Sequence, residues 1–255
     1  MIHFLAINIF HRTPGLEFLF RWAHVVVGIV WIGILYYFNF VQTPAFAEMD
    51  AGARNNAIDK LASRALWWFR WGAAATALTG FLILLAEIDP NGNARLFSGD
   101  YWKGAEGISI ATGILLALTM LGNVWMVIWP NQKKVIANAR NVQSGGQADP
   151  AAAAAARTSA LASRMNTIFS FPMLFFMVGT ANFFGAYSTA DSGSRAGYWV
   201  ATLVLWIVLE LNALGIFGGK AAGRPNLWIY ENHWRAIGTG VVLAAVWYAL
   251  WEIFF

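Results

Sequence analysis

Residues 17–41 read EFLFRWAHVVVGIVWIGILYYFNFV, and the twenty residues from Trp22 to Val41 contain no Lys, Arg, Asp or Glu. At a rise of about 1.5 Å per residue, twenty helical residues extend about 30 Å, the thickness of the hydrocarbon layer of a bilayer. The apolar residues run continuously instead of alternating, which argues for a helix and against a barrel strand. Five further segments have the same character, at about 66–88, 105–129, 165–187, 197–217 and 234–255. The sequence predicts an all-α, polytopic integral membrane bundle of about six transmembrane helices. It forms one transmembrane domain over residues 1–255, with a cytoplasmic linker at about 130–164. In that linker Gly145, Gly146 and Pro150 break the helix, and the alanine run after Pro150 restarts it.

Composition agrees with a bilayer as solvent. The 255 residues are 58% hydrophobic and 12% charged, against roughly a quarter charged in soluble domains. Mean hydropathy is +0.53. The net charge of +4 calls for no nucleic acid, because the basic residues fall in short loops beside apolar spans. Twelve of the 17 Lys and Arg residues flank the first, third and fifth loops, while Arg12, Arg21, Arg95, Lys103 and Arg195 lie on the other side. By the positive-inside rule the odd loops are cytoplasmic and both termini periplasmic, in a bacterial inner (plasma) membrane. Trp67, Trp68, Trp71, Trp125, Trp129, Trp228, Trp234, Trp247 and Trp251 sit at span ends and read as an interfacial aromatic belt. The stretch before the first span, with His3 and His11, is apolar but short. It reads as a surface segment, not as a cleaved signal peptide.

With no cysteine, these residues hold no disulfide, no iron–sulfur cluster and no covalent haem c. Walker A, dinucleotide-binding, H-E-x-x-H and G-x-S-x-G motifs are also missing. The informative residues are the polar ones at membrane depth, where each is costly. His24 lies about 10 Å into the first span, with Gly28 one turn on, leaving a recess beside the imidazole. That recess suits a b-type haem ligated by His24 or close packing and hydrogen bonding to a neighbouring helix. Met177 is the second axial ligand that depth allows, or a packing residue, the commoner role of a methionine in a bundle.

At the other end of the spans lie Asn39, Gln42, Asn123, Asn166, Glu210 and His233. They read as the lining of a cytoplasm-facing cavity, or as interhelical hydrogen-bond glue. Glu210 is the costliest, and needs a proton, water or a basic partner.

Three stretches resemble one family: RWAHVVVGIVWIGILYYFNFVQTPAF at 21–46, GNVWMVIWPNQKK at 122–134 and SRMNTIFSFPMLFFM at 163–177. They are similar to the membrane domain of the bacterial membrane-bound urate oxidases, or urate hydroxylases. The first stretch has a shorter likeness to small membrane haem proteins of the protoporphyrinogen oxidase type. The urate oxidase resemblance implies oxidation of urate to 5-hydroxyisourate, with electrons passed to cytochrome c and the respiratory chain. In that family a cytochrome c domain follows the membrane domain. Here no C-x-x-C-H is present, so the resemblance implies a separate periplasmic acceptor.

The expected site has a purine held by the amides of Asn39, Gln42, Asn123 and Asn166, which both donate and accept. Glu210 or His233 takes the proton, and electrons leave past His24. The competing expectation is a non-catalytic or electron-wiring subunit among other membrane subunits. The topology has a direct test. Alkaline phosphatase fused after Phe255 is expected to be active, and a fluorescent protein at the same place dark; the reverse pattern would invert the orientation.

Overall fold

The computed structural model describes residues 13–255; His3 and His11 lie outside the described residues. Six helices are long and apolar enough to cross a membrane: α1 (Gly15–Glu48), α2 (Ala51–Ala86), α3 (Ala105–Gln143), α4 (Pro150–Asn182), α5 (Ser192–Ala213) and α6 (His233–Phe254). The described residues form no strand, only an isolated bridge between Ile88 and Ala94. Consecutive helices run in opposite directions, so α1 starts and α6 ends at one end of the bundle, here called the terminal end. The opposite end carries Asn39, Asn166 and His233.

α4 is the central helix. In its most apolar stretch 67% of residues are buried, against 33% or less in the other five. The others pack around it and keep outward faces of Val, Leu, Ile and Phe exposed, the pattern of a bundle solvated by lipid. Pro172 interrupts the α4 backbone ladder without ending the helix. Having no N–H, it leaves the carbonyl of Ile168 without its intrahelical donor. α6 closes onto that carbonyl at Gly240, where a Cβ would lie 3.0 Å from the Ile168 oxygen and 2.5 Å from Phe171.

α1 and α2 pack as a close antiparallel pair. α2 turns Gly72, Thr76 and Gly80 toward α1 at four-residue intervals, a small-xxx-small stripe that lets backbones approach. A Cβ on Gly72 would lie 3.3 Å from the backbone nitrogen of Trp31. On α1, a Cβ on Gly28 would lie 4.0 Å from the Thr76 methyl.

Three helices contain a wide π turn: Tyr37–Gln42 in α1, Ile58–Ala62 in α2 and Asn123–Ile128 in α3. Pro44 and Pro130 follow the first and third within two residues. A helical proline clashes with the carbonyl four residues back, and widening the preceding turn relieves it. The second has no proline to account for it.

Two sequence expectations need correction. Most of the 130–164 linker is helical: α3 runs on to Gln143 and α4 begins at Pro150, leaving only residues 144–149 as the turn. The 39 residues of α3 extend about 58 Å, so about half of the helix exceeds hydrocarbon thickness. Asp59 ties the arm to α2 through Arg140, at 2.5 Å.

The second correction concerns the aromatic belt. Trp67, Trp68, Trp71, Trp228 and Trp234 are exposed, but Trp247 and Trp251 are fully buried. They share the inward face of α6 at i, i+4. Trp251 stacks on Phe255 with ring centroids 4.0 Å apart and lies 4.5 Å from Phe184.

Gly240→Val is expected to push α6 off the Ile168 carbonyl and lower stability by about 1–3 kcal/mol, the usual cost of overpacking. Thermal unfolding in detergent checks it; an unchanged midpoint would mean that α4 and α6 are not in close contact.

Candidate functional site

The far half of α4 carries a polar strip, Ser163-Arg164-Met165-Asn166-Thr167, and four other elements converge on it. On one side Asn166 is completely enclosed. Its Oδ1 accepts from Asn123 Nδ2 of α3 at 2.9 Å, and its Nδ2 donates to the Met120 carbonyl at 2.9 Å. Asn123 Nδ2 also donates to Glu210 Oε2 of α5, at 3.2 Å. The π turn that begins at Asn123 helps aim this amide at α4. Three helices are thereby joined by one amide–amide–carboxylate knot. The partner of Glu210 is an amide, not a basic residue.

The second side of the strip faces α1 and the loop before α6. Arg164 Nε donates to Asn39 Oδ1 at 2.8 Å, and Asn39 Nδ2 donates to Ser163 Oγ at 2.8 Å. Arg164 Nη1 reaches the Tyr230 carbonyl at 3.4 Å. Tyr230 links the two sides, because its hydroxyl donates to the Leu209 carbonyl next to Glu210. Arg164 is only 8% exposed, and it forms no ion pair among the described residues. The Glu231 carboxylate, gripped by Arg157, acts on it electrostatically without touching it, so the guanidinium is buried with no carboxylate in direct contact among the described residues.

Beside Arg164 runs a half-buried aromatic row. Tyr36 stacks on Phe40 at 4.9 Å and on Phe171 at 6.1 Å, and the His233 ring lies 6.2 Å from Phe40. The Tyr36 hydroxyl is within 2.8 Å of Ser170 Oγ. The row crosses from α4 over α1 to the start of α6. Together the two features offer a flat apolar face and a fixed positive charge, the chemistry that receives a planar anion.

The residues expected from sequence are therefore divided. Asn123, Asn166 and Glu210 meet, and satisfy one another. Asn39 and His233 belong to the second side. Gln42 joins neither group; its Oε1 is buried without a partner. Two surface hollows flank the terminal end of α4, lined in part by Phe175, Val178 and Tyr248 and by Glu106, Thr180 and Asn182. None of the expected substrate residues lines either one.

At the terminal end His24 Nδ1 is 3.1 Å from Thr79 Oγ1 of α2. The imidazole packs against Gly80, where a Cβ would meet its Cε1 at 3.1 Å, and α2 fills the recess at Gly28. Met177 packs instead on Gly113 of α3, within 3.3 Å of where a Cβ would be. These residues do not fit a haem between α1 and α2. They make the interhelical hydrogen bond that was the other reading of His24. No group of three or more His, Asp or Glu among the described residues is placed to hold a metal ion.

Sequence reading missed Arg164, which counted as a loop charge next to the span, and Tyr230. The available signal for Arg164 was its place two residues before Asn166 on a continuous helix.

A family model described as urate oxidase N-terminal matches residues 95–247, more than half of the chain. The chain belongs to this family. No curated protein and no solved structure matches it. The urate oxidase N-terminal match spans α3, α4, α5 and most of α6, including the Asn123–Asn166–Glu210 knot, Arg164, Tyr230 and His233. The stretch at 21–46, with Asn39 and His24, lies outside the matched residues.

An ion pair braces the site. Arg157 grips Glu231 with Nη1 to Oε2 at 2.9 Å and Nη2 to Oε1 at 2.5 Å. Hydrogen bonding to Arg157, offset partly by desolvation, holds the Glu231 carboxyl below its ordinary value of 4.5. A depressed carboxylate stabilises the fold above its unfolded value and loses that contribution as pH falls through the folded one. A double-mutant cycle on Arg157→Ala and Glu231→Ala, read by thermal unfolding, is expected to give about 0.5–1 kcal/mol of coupling at pH 7. It should shrink toward zero as pH falls below 4.5. Coupling that persists in acid would mean the pair is not the source.

Proposed function

We propose that this chain is the membrane domain of a urate-oxidase-type oxidoreductase that binds a planar purine anion such as urate at the far end of the bundle. The observation that carries this reading is Arg164: a buried guanidinium that touches no carboxylate among the described residues, oriented by Asn39 and bordered by the Phe171–Tyr36–Phe40–His233 row. A purine anion presents a flat π face and a delocalised negative charge. Arginine meets such a charge with a planar, directional donor set, and the aromatic row supplies stacking area. Asn39 accepts from Arg164 and donates to Ser163 and to the Leu35 carbonyl, so it holds the guanidinium in place and not the purine itself.

The reaction implied is urate plus water giving 5-hydroxyisourate, two protons and two electrons. Oxygen comes from water, which adds at the purine carbon from which the electron pair is removed. His233 is the group at the row suited to take a proton at neutral pH. Glu210, tied to Asn123, receives a proton only by relay from the second side. The electrons go to an acceptor such as a cytochrome c in the periplasm, one electron to each of two molecules, and their passage from the far end requires a redox carrier, such as a quinone or a partner subunit, between the purine and that acceptor. No step here runs through a haem at His24. The far end is then the cytoplasmic one, in keeping with the basic loops.

Closure of the Asn123–Asn166–Glu210 knot favours a second reading: a non-catalytic membrane subunit whose buried polar groups serve only to join helices. One set of measurements separates the two. Purified protein is mixed with urate and oxidised cytochrome c, and urate-dependent reduction is expected. Arg164→Gln should lower kcat/KM about a hundredfold, about 2.7 kcal/mol, chiefly through KM. Glu210→Gln should leave the assembled bundle intact and reduce kcat. Absence of urate-dependent reduction, with co-purification at fixed stoichiometry with other membrane proteins, would establish the second reading instead.

A further inference from the structure

A second buried arginine has no role in the chemistry above. Arg70 of α2 is only 9% exposed. Its guanidinium lies over the Trp129 ring of α3, with Cζ 3.4 Å from the centroid and 5.7 Å from that of Trp125. Nε is buried and has no hydrogen-bond partner. Among the described residues Arg70 forms no ion pair. Lys133, one turn beyond Trp129, brings its ammonium to 5.7 Å from the same ring. Two cations therefore lie near one indole, and among the described residues neither forms an ion pair with a carboxylate.

The surroundings indicate what the missing anion is. Trp67, Trp68 and Trp71 are each about half exposed on the neighbouring surface of α2, and Trp71 meets Trp125 edge-on at 5.5 Å. A patch of exposed tryptophan is unsuited to water and suited to the headgroup–acyl boundary. Lys133 is exposed on the α3 arm just beyond that patch. A ligand that fills the position has a phosphate for Arg70 and Lys133 and an apolar portion against the tryptophans. Basic positions between transmembrane helices on the cytoplasmic side hold acidic lipid headgroups in this way.

We propose that Arg70, Trp129 and Lys133 form a binding site for the phosphate of an acidic phospholipid in the leaflet at the far end of the bundle. The cation–π stack fixes the guanidinium plane and turns its outer N–H groups to the lipid, and Lys133 completes the charge. The bound lipid would seal the α2–α3 seam beside the π turn that carries Asn123. This site rests on the bundle's being membrane-inserted, and does not depend on its being an oxidoreductase.

The test uses the full chain in nanodiscs of phosphatidylcholine with increasing phosphatidylglycerol, read by native mass spectrometry after transfer to detergent. The wild-type protein is expected to retain one phosphatidylglycerol in preference to phosphatidylcholine. Arg70→Gln should lower that retention about tenfold. Lys133→Gln, an exposed change that does not endanger folding, should lower it several-fold, and Lys134→Gln should not. Equal retention by the wild type and both variants, or no preference for phosphatidylglycerol, would overturn the proposal. Displacement of the lipid by millimolar inorganic phosphate would assign the site to a soluble anion and overturn the lipid assignment. Failure of the folded protein to enter nanodiscs would overturn both this site and the membrane reading, while urate oxidation bears on neither.

Discussion

Polar groups of α4 that cannot reach water must find partners on other helices, and the rest of the bundle is arranged around that need. Asn166 is fully enclosed, yet both ends of its amide are used, by Asn123 and by the Met120 carbonyl. In lipid, apolar side chains give helices little reason to choose one neighbour over another, whereas a buried amide without a partner is costly. The Asn166 amide therefore fixes α3 against α4, and the second bond of Asn123 brings in α5 through Glu210. Pro172 acts on the other face of the same helix, by freeing a carbonyl onto which Gly240 of α6 can close.

The π turns are how long apolar helices deliver polar side chains to this strip. A helix with uniform geometry keeps one face toward its partner, and an extra residue in a turn rotates everything beyond it. Asn39, Asp59 and Asn123 each lie in such a turn and are each buried. Two of those turns precede prolines, so the device is written in the chain as T-P and W-P dipeptides. π turns recur at functional sites because they expose backbone and re-aim side chains. Here the first serves the arginine-bearing side and the third the knot, while the second turns Asp59 to Arg140.

The two sides of α4 differ in what they leave unfinished. The knot of Asn123, Asn166 and Glu210 is closed upon itself. The Arg164 side has a guanidinium that touches no carboxylate, Glu231 being held by Arg157, and an aromatic row that continues to His233. This difference, more than the presence of polar residues as such, is what favours Arg164 for the proposed anion site. The match to the urate oxidase N-terminal family covers the knot, Arg164, Tyr230, Phe171 and His233, while Tyr36, Asn39 and Phe40 of the arginine-bearing side lie outside it.

The sequence by itself determined the helical class, six helices long and apolar enough to cross a membrane, and the polar residues that a membrane would make expensive. Those follow from hydrogen-bond satisfaction and hydrocarbon thickness, which act on a segment alone. It also placed Asn39, Gln42, Asn123, Asn166, Glu210 and His233 toward the same end of the spans, since rise per residue is fixed, without showing which of them meet. Only the tertiary structure decided which helix is central and which polar residues meet, because rotation about each helix axis is set by packing partners far away in the chain. For that reason Trp247 and Trp251 went to the core and not to the belt, and His24 went to Thr79. For the same reason Arg164, which in the sequence is one more basic residue beside a span, became the buried charge at the centre of the site.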